Sequence, residues 1–285
     1  MLDTLAALFA GAPKLLILCA VGLGLEYLRP CERNQPAKAS LFNFIWIVNF
    51  VVMTNVVLYF LGKYVQVGVA LLHGPLLTIN FPDTWYGWAG QLALFMFLHD
   101  LGYYTMHRCQ HTFAWFWAHH KFHHTDEHMN ATTSFRHHWL ENVYRIPFIF
   151  IPLGLVSFSA TLPAWMFDIM LAWAIFTHMN LRLHLGPLTR VIAGPQVHRI
   201  HHSNEPQHQN RNFAAFFPIW DILGGTFHTP APDEFPPCGT CPRELTTSIW
   251  QANTGVFREW YRLGREGVRK RLPAPKPASV PGGPK

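Results

Sequence analysis

Charge is what this sequence is shortest of. Only 13% of its 285 residues are Asp, Glu, Lys or Arg, against 50% hydrophobic ones, a balance too apolar for an ordinary soluble domain. It contains no G-x-G-x-x-G and no Walker loop, so no recognisable module holds a dinucleotide, flavin or nucleoside triphosphate. No repeat at a solenoid period is present. Its five cysteines form no even framework. Cys19, Cys31 and Cys109 are scattered, and Cys238-Gly-Thr-Cys241 is one C-x-x-C pair where a four-thiolate zinc or iron site needs two; it reads as a loop turn. The apolar N-terminal stretch lacks a basic n-region with a small-residue cleavage site and is not read as a removable signal.

Long uncharged runs fill the space that charge leaves. A transmembrane helix needs about 20 apolar residues. Ala39–Gly62, between Lys38 and Lys63, meets that need, as does Thr84–His99 continuing into Gly102-Tyr103-Tyr104. Ile146–Phe167, followed after Asp168 by Ile169–Leu181, reads as a helical hairpin bent near Pro163. Leu15–Leu25 is a shorter first span. Tyr64–Pro82 is interrupted by Gly74-Pro75 and reads as a re-entrant or interfacial piece. The expected fold is all-α, a multi-pass helical membrane protein of about 4–6 spans with a histidine-lined helical cap. Basic residues cluster at Arg29, Arg33 and Lys38 and again at Arg262, Arg265, Arg269, Lys270 and Arg271, which puts the cap and the C-terminal region in the cytosol by the positive-inside rule. No nucleic-acid-binding fold accompanies these charges. Three regions follow: a transmembrane part (1–99), a histidine-rich part enclosing the hairpin 146–181 (100–229), and a tail (230–285). The tail holds a proline-rich loop, Pro230–Pro242, an amphipathic helix over Thr247–Arg271 with Trp250, Val256, Phe257, Trp260 and Leu263 on its apolar side, and a disordered Pro/Gly/Lys-rich end, Leu272–Lys285.

Eighteen histidines are present, and their spacing carries the chemistry. His107 and His111 stand i, i+4. His120, His123 and His124 stand i, i+3, i+4, and so do His198, His201 and His202, so each set shares one helical face. A hairpin between the two histidine-rich stretches returns the chain to the side it left and lets the boxes meet. Eight imidazoles exceed one tetrahedral ion and imply two metals, with His178 as a ninth ligand. Asp100, seven residues before His107, is either a carboxylate that orients an imidazole or an ordinary helix-end charge; Glu141 and Asp221 are candidates of the same kind. His73, His119, His128, His137, His184, His208 and His228 lie outside the boxes and read as ordinary hydrogen-bonded residues.

From Asp100 to Thr226 the sequence resembles the fatty acid hydroxylase and sterol desaturase superfamily of membrane di-iron enzymes. Asp100-Leu-Gly-Tyr-Tyr104 leading to His107-Arg108 and His111 matches its first box. Trp117 with His120, His123 and His124 matches the second, followed by Arg136, His138 and Glu141. His178 and Asn180 match an H-x-N; His198, His201 and His202 match the last box; Asn212, Trp220-Asp221 and Gly225-Thr226 match the closing element. Trp139 replaces a proline, Ala214 a glycine, and Arg182 a further histidine found in some members. No box ligand is lost. The resemblance implies two iron ions, with zinc a substitute in purified protein, O2 as co-substrate, a lipid hydroxylated or desaturated at a C–H bond, and an external electron-donor protein. Ether-lipid cleavage is the alternative within that chemistry. A histidine-rich metal transporter or sensor is the alternative outside it, and it would place ionisable ligands inside the spans.

Overall fold

The computed structural model describes residues 9–71, 74–158 and 164–271. The chain is mostly helical there. Helix α1 (Ala12–Glu26) begins on Pro13, whose missing amide costs nothing in a first turn. Helix α2 (Ala37–Leu71) runs for 35 residues, about 50 Å at 1.5 Å per residue. The chain re-emerges at Gly74, which has φ +85°, and the interrupted segment yields a strand, β1 (Leu77–Ile79). Among the described residues one helix, Ala37–Gly68, is long and apolar enough to cross a membrane; Phe167–His178 is apolar but shorter.

Helix α3 (Trp85–Thr112) opens on Thr84, whose side chain accepts from the Gly87 amide at 3.3 Å. It carries the first histidine pair on its last turns. Phe113 is extended, and α4 (Ala114–His124) starts at once, folding the second box back toward the first. A 3-10 turn, Ala131–Phe135, follows.

The expected helical hairpin is irregular in its first arm. α5 (Glu141–Arg145) passes into a π-helical turn, Ile146–Phe150, then α6 (Ile151–Gly154), then a strand, β2 (Val156–Phe158). Pro147 and Pro152 interrupt the amide ladder of an ordinary α-helix, which accounts for the broken arm. β2 pairs in parallel with β1, Leu77 opposite Val156 and Ile79 opposite Phe158, so the fold is helical with one small two-stranded sheet. The second arm is α7 (Ala164–His178). The bend expected at Pro163 lies outside the described residues, as do His73 and the tail Leu272–Lys285. Short helices α8 (Pro195–His201) and α9 (Ile219–Gly224) complete the cap, and α10 (Ile249–Arg271) closes the described chain.

The 131–135 turn is where α1, α2 and α7 meet. Cys19, Ile47, Ala131, Phe135, Ile175 and Met179 form a core there. A Cβ on Gly22 would stand 2.7 Å from that of Ala131, so only glycine permits this approach of α1. Gly102 does the same for α3 against the π-turn, where a Cβ would meet the Phe148 carbonyl at 2.5 Å. Beside this core lies a buried polar lattice. Asn43 donates to Asp126 at 2.8 Å, and Arg136 donates to Asn43 at 2.8 Å while its guanidinium rests against the Phe42 and Phe122 rings. The apolar side expected on α10 divides: Val256 is buried, whereas Trp250 and Phe257 are exposed.

Candidate metal centre

Nine imidazoles converge from α3, α4, α7 and α8. His107, His111, His120, His124 and His201 form one group, and His123, His178, His198 and His202 form a second; within each, one nitrogen per ring lies within 4.8 Å of all the others. The groups abut, with His124 stacked on His202 at 4.4 Å between ring centroids and His123 against His202 at 4.5 Å. The helical register explains the division. In each H-x-x-H-H box the adjacent pair points about 100° apart, so His123 and His124 enter different groups, and so do His201 and His202.

Four of the rings are held from outside the centre by their Nδ1 atoms. His107 Nδ1 donates to the Phe213 carbonyl at 2.7 Å, His178 Nδ1 to the Ala174 carbonyl at 2.7 Å, and His201 Nδ1 to the Arg211 carbonyl at 2.8 Å. His120 Nδ1 donates to Glu141 Oε1 at 3.2 Å. Carbonyl and carboxylate oxygens only accept, so each of these four rings carries its proton on Nδ1 when neutral and turns a bare Nε2 inward.

Those bare nitrogens face one another. His107 Nε2 is 3.0 Å from His120 Nε2, and both protons are already committed outward. His178 Nε2, also bare, is 2.9 Å from His198 Nε2 and can accept from it. His111 Nε2, His201 Nε2 and both nitrogens of His202 are buried without any partner. The His107 and His120 lone pairs, at hydrogen-bond distance with no proton between them, repel unless a cation sits in the gap. Protonation is a poor substitute. Burial first, then neighbouring imidazoles, hold His107, His111, His123, His124, His198 and His202 well below the ordinary imidazole range, and burial holds His201 at about 3. The donor set therefore fits metal ions, and neutral imidazole suits iron and zinc alike.

The three candidate carboxylates behave differently. Glu141 touches the imidazoles: its Oε1 lies 3.1 Å from His137 Nδ1 and 3.2 Å from His120 Nδ1, with His119 Nδ1 at 3.9 Å. Burial raises its affinity for a proton, yet the surrounding imidazoles outweigh that and hold the carboxyl well below the usual range. Asp221 acts one step removed. It accepts from the Phe213 and Ala214 amides at 2.8 Å and from the Thr226 hydroxyl at 2.7 Å, fixing the turn whose Phe213 carbonyl holds His107. Asp100 meets no imidazole; its carboxylate accepts the Ala215, Phe216 and Phe217 amides at 2.7 to 3.2 Å, tying α3 to the following loop.

Other parts of the site carry no sequence signal of their own. His137 stacks on His123 at 4.0 Å, and the three carbonyl acceptors could be contributed by any residue type. The C-x-x-C loop holds the last box by its backbone, with Gly239 N donating to the His202 carbonyl at 3.0 Å; both of its thiols are free. His128 and His184 are hydrogen-bonded, to Glu32 and Gln196. His208 and His228 both meet Glu234, at 3.0 and 3.2 Å.

Each group borders a cavity. A cavity of about 370 Å³ reaches His111, His124 and His201 beside Trp117 and the 239–241 loop. Another of about 240 Å³ reaches His178 and His198, walled by Phe50, Phe135, Leu171 and Phe216.

A family model described as fatty acid hydroxylase matches residues 92–226. An ornithine lipid hydroxylase of Rhizobium tropici is 30% identical over 173 residues, 60% of this chain and 52% of the relative. An alkylglycerol monooxygenase of Danio rerio is 30% identical over 151 residues, 53% of this chain and 32% of the relative. A Delta(7)-sterol 5(6)-desaturase of Candida glabrata is 28% identical over 155 residues, 52% and 38% of the two chains. The chain spans about half the length of the first of these relatives and less of the other two. No solved structure matches it.

Proposed function

We propose, from the premise that the chain belongs through residues 92–226 to the fatty acid hydroxylase and sterol desaturase superfamily, that it is a membrane-bound lipid oxygenase with two metal ions at its histidine centre. His107, His111, His120, His124 and His201 hold one ion, and His123, His178, His198 and His202 hold the other. The opposed Nε2 lone pairs of His107 and His120, beside the unpartnered nitrogens of His111, His201 and His202, are the observation that carries this reading. Iron is the metal proposed for the working enzyme, with zinc a competitor during purification. O2 is the co-substrate, and electrons come from a separate donor protein.

The metal pair supplies O2 reduction and the oxidising power to break an unactivated C–H bond. This chain's residues supply position. The carbonyls of Phe213, Ala174 and Arg211 and the carboxylate of Glu141 fix ring orientation before any metal arrives, so little reorganisation accompanies binding. The cavity against His178 and His198 receives an alkyl segment among aromatic and aliphatic side chains and keeps water from it. Hydroxylation and desaturation differ in whether one hydrogen or two are removed from that segment, and ether-lipid cleavage differs in which carbon is presented.

The proposed topology is a multi-pass protein of about 4–6 spans, with α2 as its longest span and the cap and C-terminal region in the cytosol. Its three parts are an N-terminal transmembrane region, 1–99, the region of the centre and hairpin, 100–229, and the tail from 230. A transporter would keep ionisable ligands at mid-bilayer. Helix α2 has no His, Asp or Glu within Ala37–Gly68, which favours the enzyme.

The test pairs a metal count on purified protein with comparative lipid profiling of cells with and without the chain. Two tightly held ions per chain and an added hydroxylated or unsaturated lipid are expected. An unchanged lipid profile with metal-dependent flux in vesicles would overturn the reading.

A further inference from the structure

The cavity beside His178 and His198 has one feature that alkyl binding does not need. Its wall contains a single formally charged side chain, Arg145, and no carboxylate. Arg145 is the last residue of α5, at the point where the polar stretch gives way to the apolar π-turn. Its Nε is buried and has no hydrogen-bond partner, and among the described residues no carboxylate comes within 4.0 Å of it. What it touches is aromatic: its guanidinium lies 6.0 Å from the centroid of the Tyr103 ring.

The nearby carboxylates do not pair with Arg145. Glu141, one helical turn before it, gives Oε1 to His120 and His137, while its buried Oε2 has no partner. Asp100, on the neighbouring helix, is saturated by three backbone amides. His99 also lines the cavity, with a buried Nδ1 that lacks a partner. Arg145 as a whole is half-buried, and its enclosed, unpartnered Nε is the donor that a ligand oxygen would satisfy. Guanidinium is also the side chain best shaped to take two oxygens of one oxyanion at once.

We propose that Arg145 is a substrate-selecting residue that binds an oxyanion, a carboxylate or a phosphate, at the polar end of the lipid occupying this cavity. The proposal rests on the lipid-oxygenase reading and narrows it: neutral lipids are poorer ligands than their anionic counterparts. Since Arg145 and His198 line one cavity of about 240 Å³, too small for a whole acyl chain, the carbon brought to the centre lies within a few bonds of the anion. The remainder of the chain extends away from it.

Binding decides the matter without turnover. Purified full-length protein in phosphatidylcholine nanodiscs is titrated with palmitate and methyl palmitate, and separately with dipalmitoyl phosphatidate and dipalmitoylglycerol, each read by displacement of a fluorescent neutral lipid. At least one anion is expected to bind about tenfold tighter than its neutral partner, and the arm that shows the preference assigns carboxylate or phosphate. Arg145→Gln should abolish the preference while leaving neutral-lipid binding within about twofold, and Arg145→Lys should restore part of it. Equal binding of anion and neutral lipid by the unaltered protein, or a preference that survives in Arg145→Gln, would overturn the proposal. Should Arg145→Gln fail to fold, the unaltered protein and Arg145→Lys still decide. Absence of any oxidised product alongside a preserved anion preference would defeat the oxygenase reading and leave the anion site standing.

Discussion

The first two helices and the histidine cap are built on opposite plans. On α1 and α2 large apolar side chains face outward: Ile17 is 63% exposed, Leu41 60% and Tyr59 80%, and only 17% of the most apolar stretch of α2 is buried within the protein. In the cap polar residues fill the interior, with His107, His120, Asn130, Thr132 and His202 fully enclosed. A soluble domain shows the reverse in both places. The difference teaches that apolar burial alone does not organise this molecule: one region leaves its apolar surface exposed and the other is held by hydrogen bonds, and on the reading above lipid covers the first and metal completes the second.

The contrast can be broken at the cap first. His202→Ala removes a ring that stands between both groups. It should empty the second metal position and reduce lipid oxidation by on the order of 10³-fold or more, since groups acting as a unit fail together; metal analysis alongside turnover checks this. Near-normal metal content would contradict the ligand assignment. A smaller effect should follow Glu141→Gln, which weakens the outward anchor of His120 while keeping the shape. Metal affinity should fall roughly 10- to 100-fold, seen as a lower chelator concentration for half-removal; unaltered resistance to chelation would leave Glu141 with no part in orienting the ring. The smallest change is expected from Ile45→Arg on α2, which in a bilayer costs about 2–3 kcal/mol and in water about 0.5 kcal/mol or less. Reduced resistance to alkaline extraction supports the span, whereas unchanged extraction and melting would remove α2 from the membrane.

Much of the site was legible because helical spacing converts directly into direction. Positions i, i+3 and i+4 put His120, His123 and His124 on one side of α4, and the expectation of two metals rested on the number of rings. Which ring joins which group was not legible, because it depends on how α4 and α8 face each other across the centre. The carboxylates show the same limit. Glu141, Asp100 and Asp221 are alike in sequence terms, yet Glu141 meets imidazoles, Asp221 braces a backbone turn, and Asp100 ties α3 to the 215–217 loop. In the fold, uncharged length identified α1, α2, α3 and α7, and the amphipathic stretch identified α10. The β1–β2 pair escaped notice because three-residue strands carry too short a pattern to distinguish from loop, and Pro147 and Pro152 turned an expected helix arm into a π-turn and strand.

The outward anchors of the centre have unequal visibility to mutation. His120 leans on a side chain, so a single-base change at Glu141 can damage it. His107, His178 and His201 lean on the carbonyls of Phe213, Ala174 and Arg211, and every amino acid presents a carbonyl. A saturation scan at 174 and 211 would report tolerance for the anchoring role, whereas at 213 the buried ring also packs against His107, His111 and His201 and its loss would register as a packing defect. Insertions, deletions or a proline that redirects the 211–213 backbone would expose what substitutions conceal.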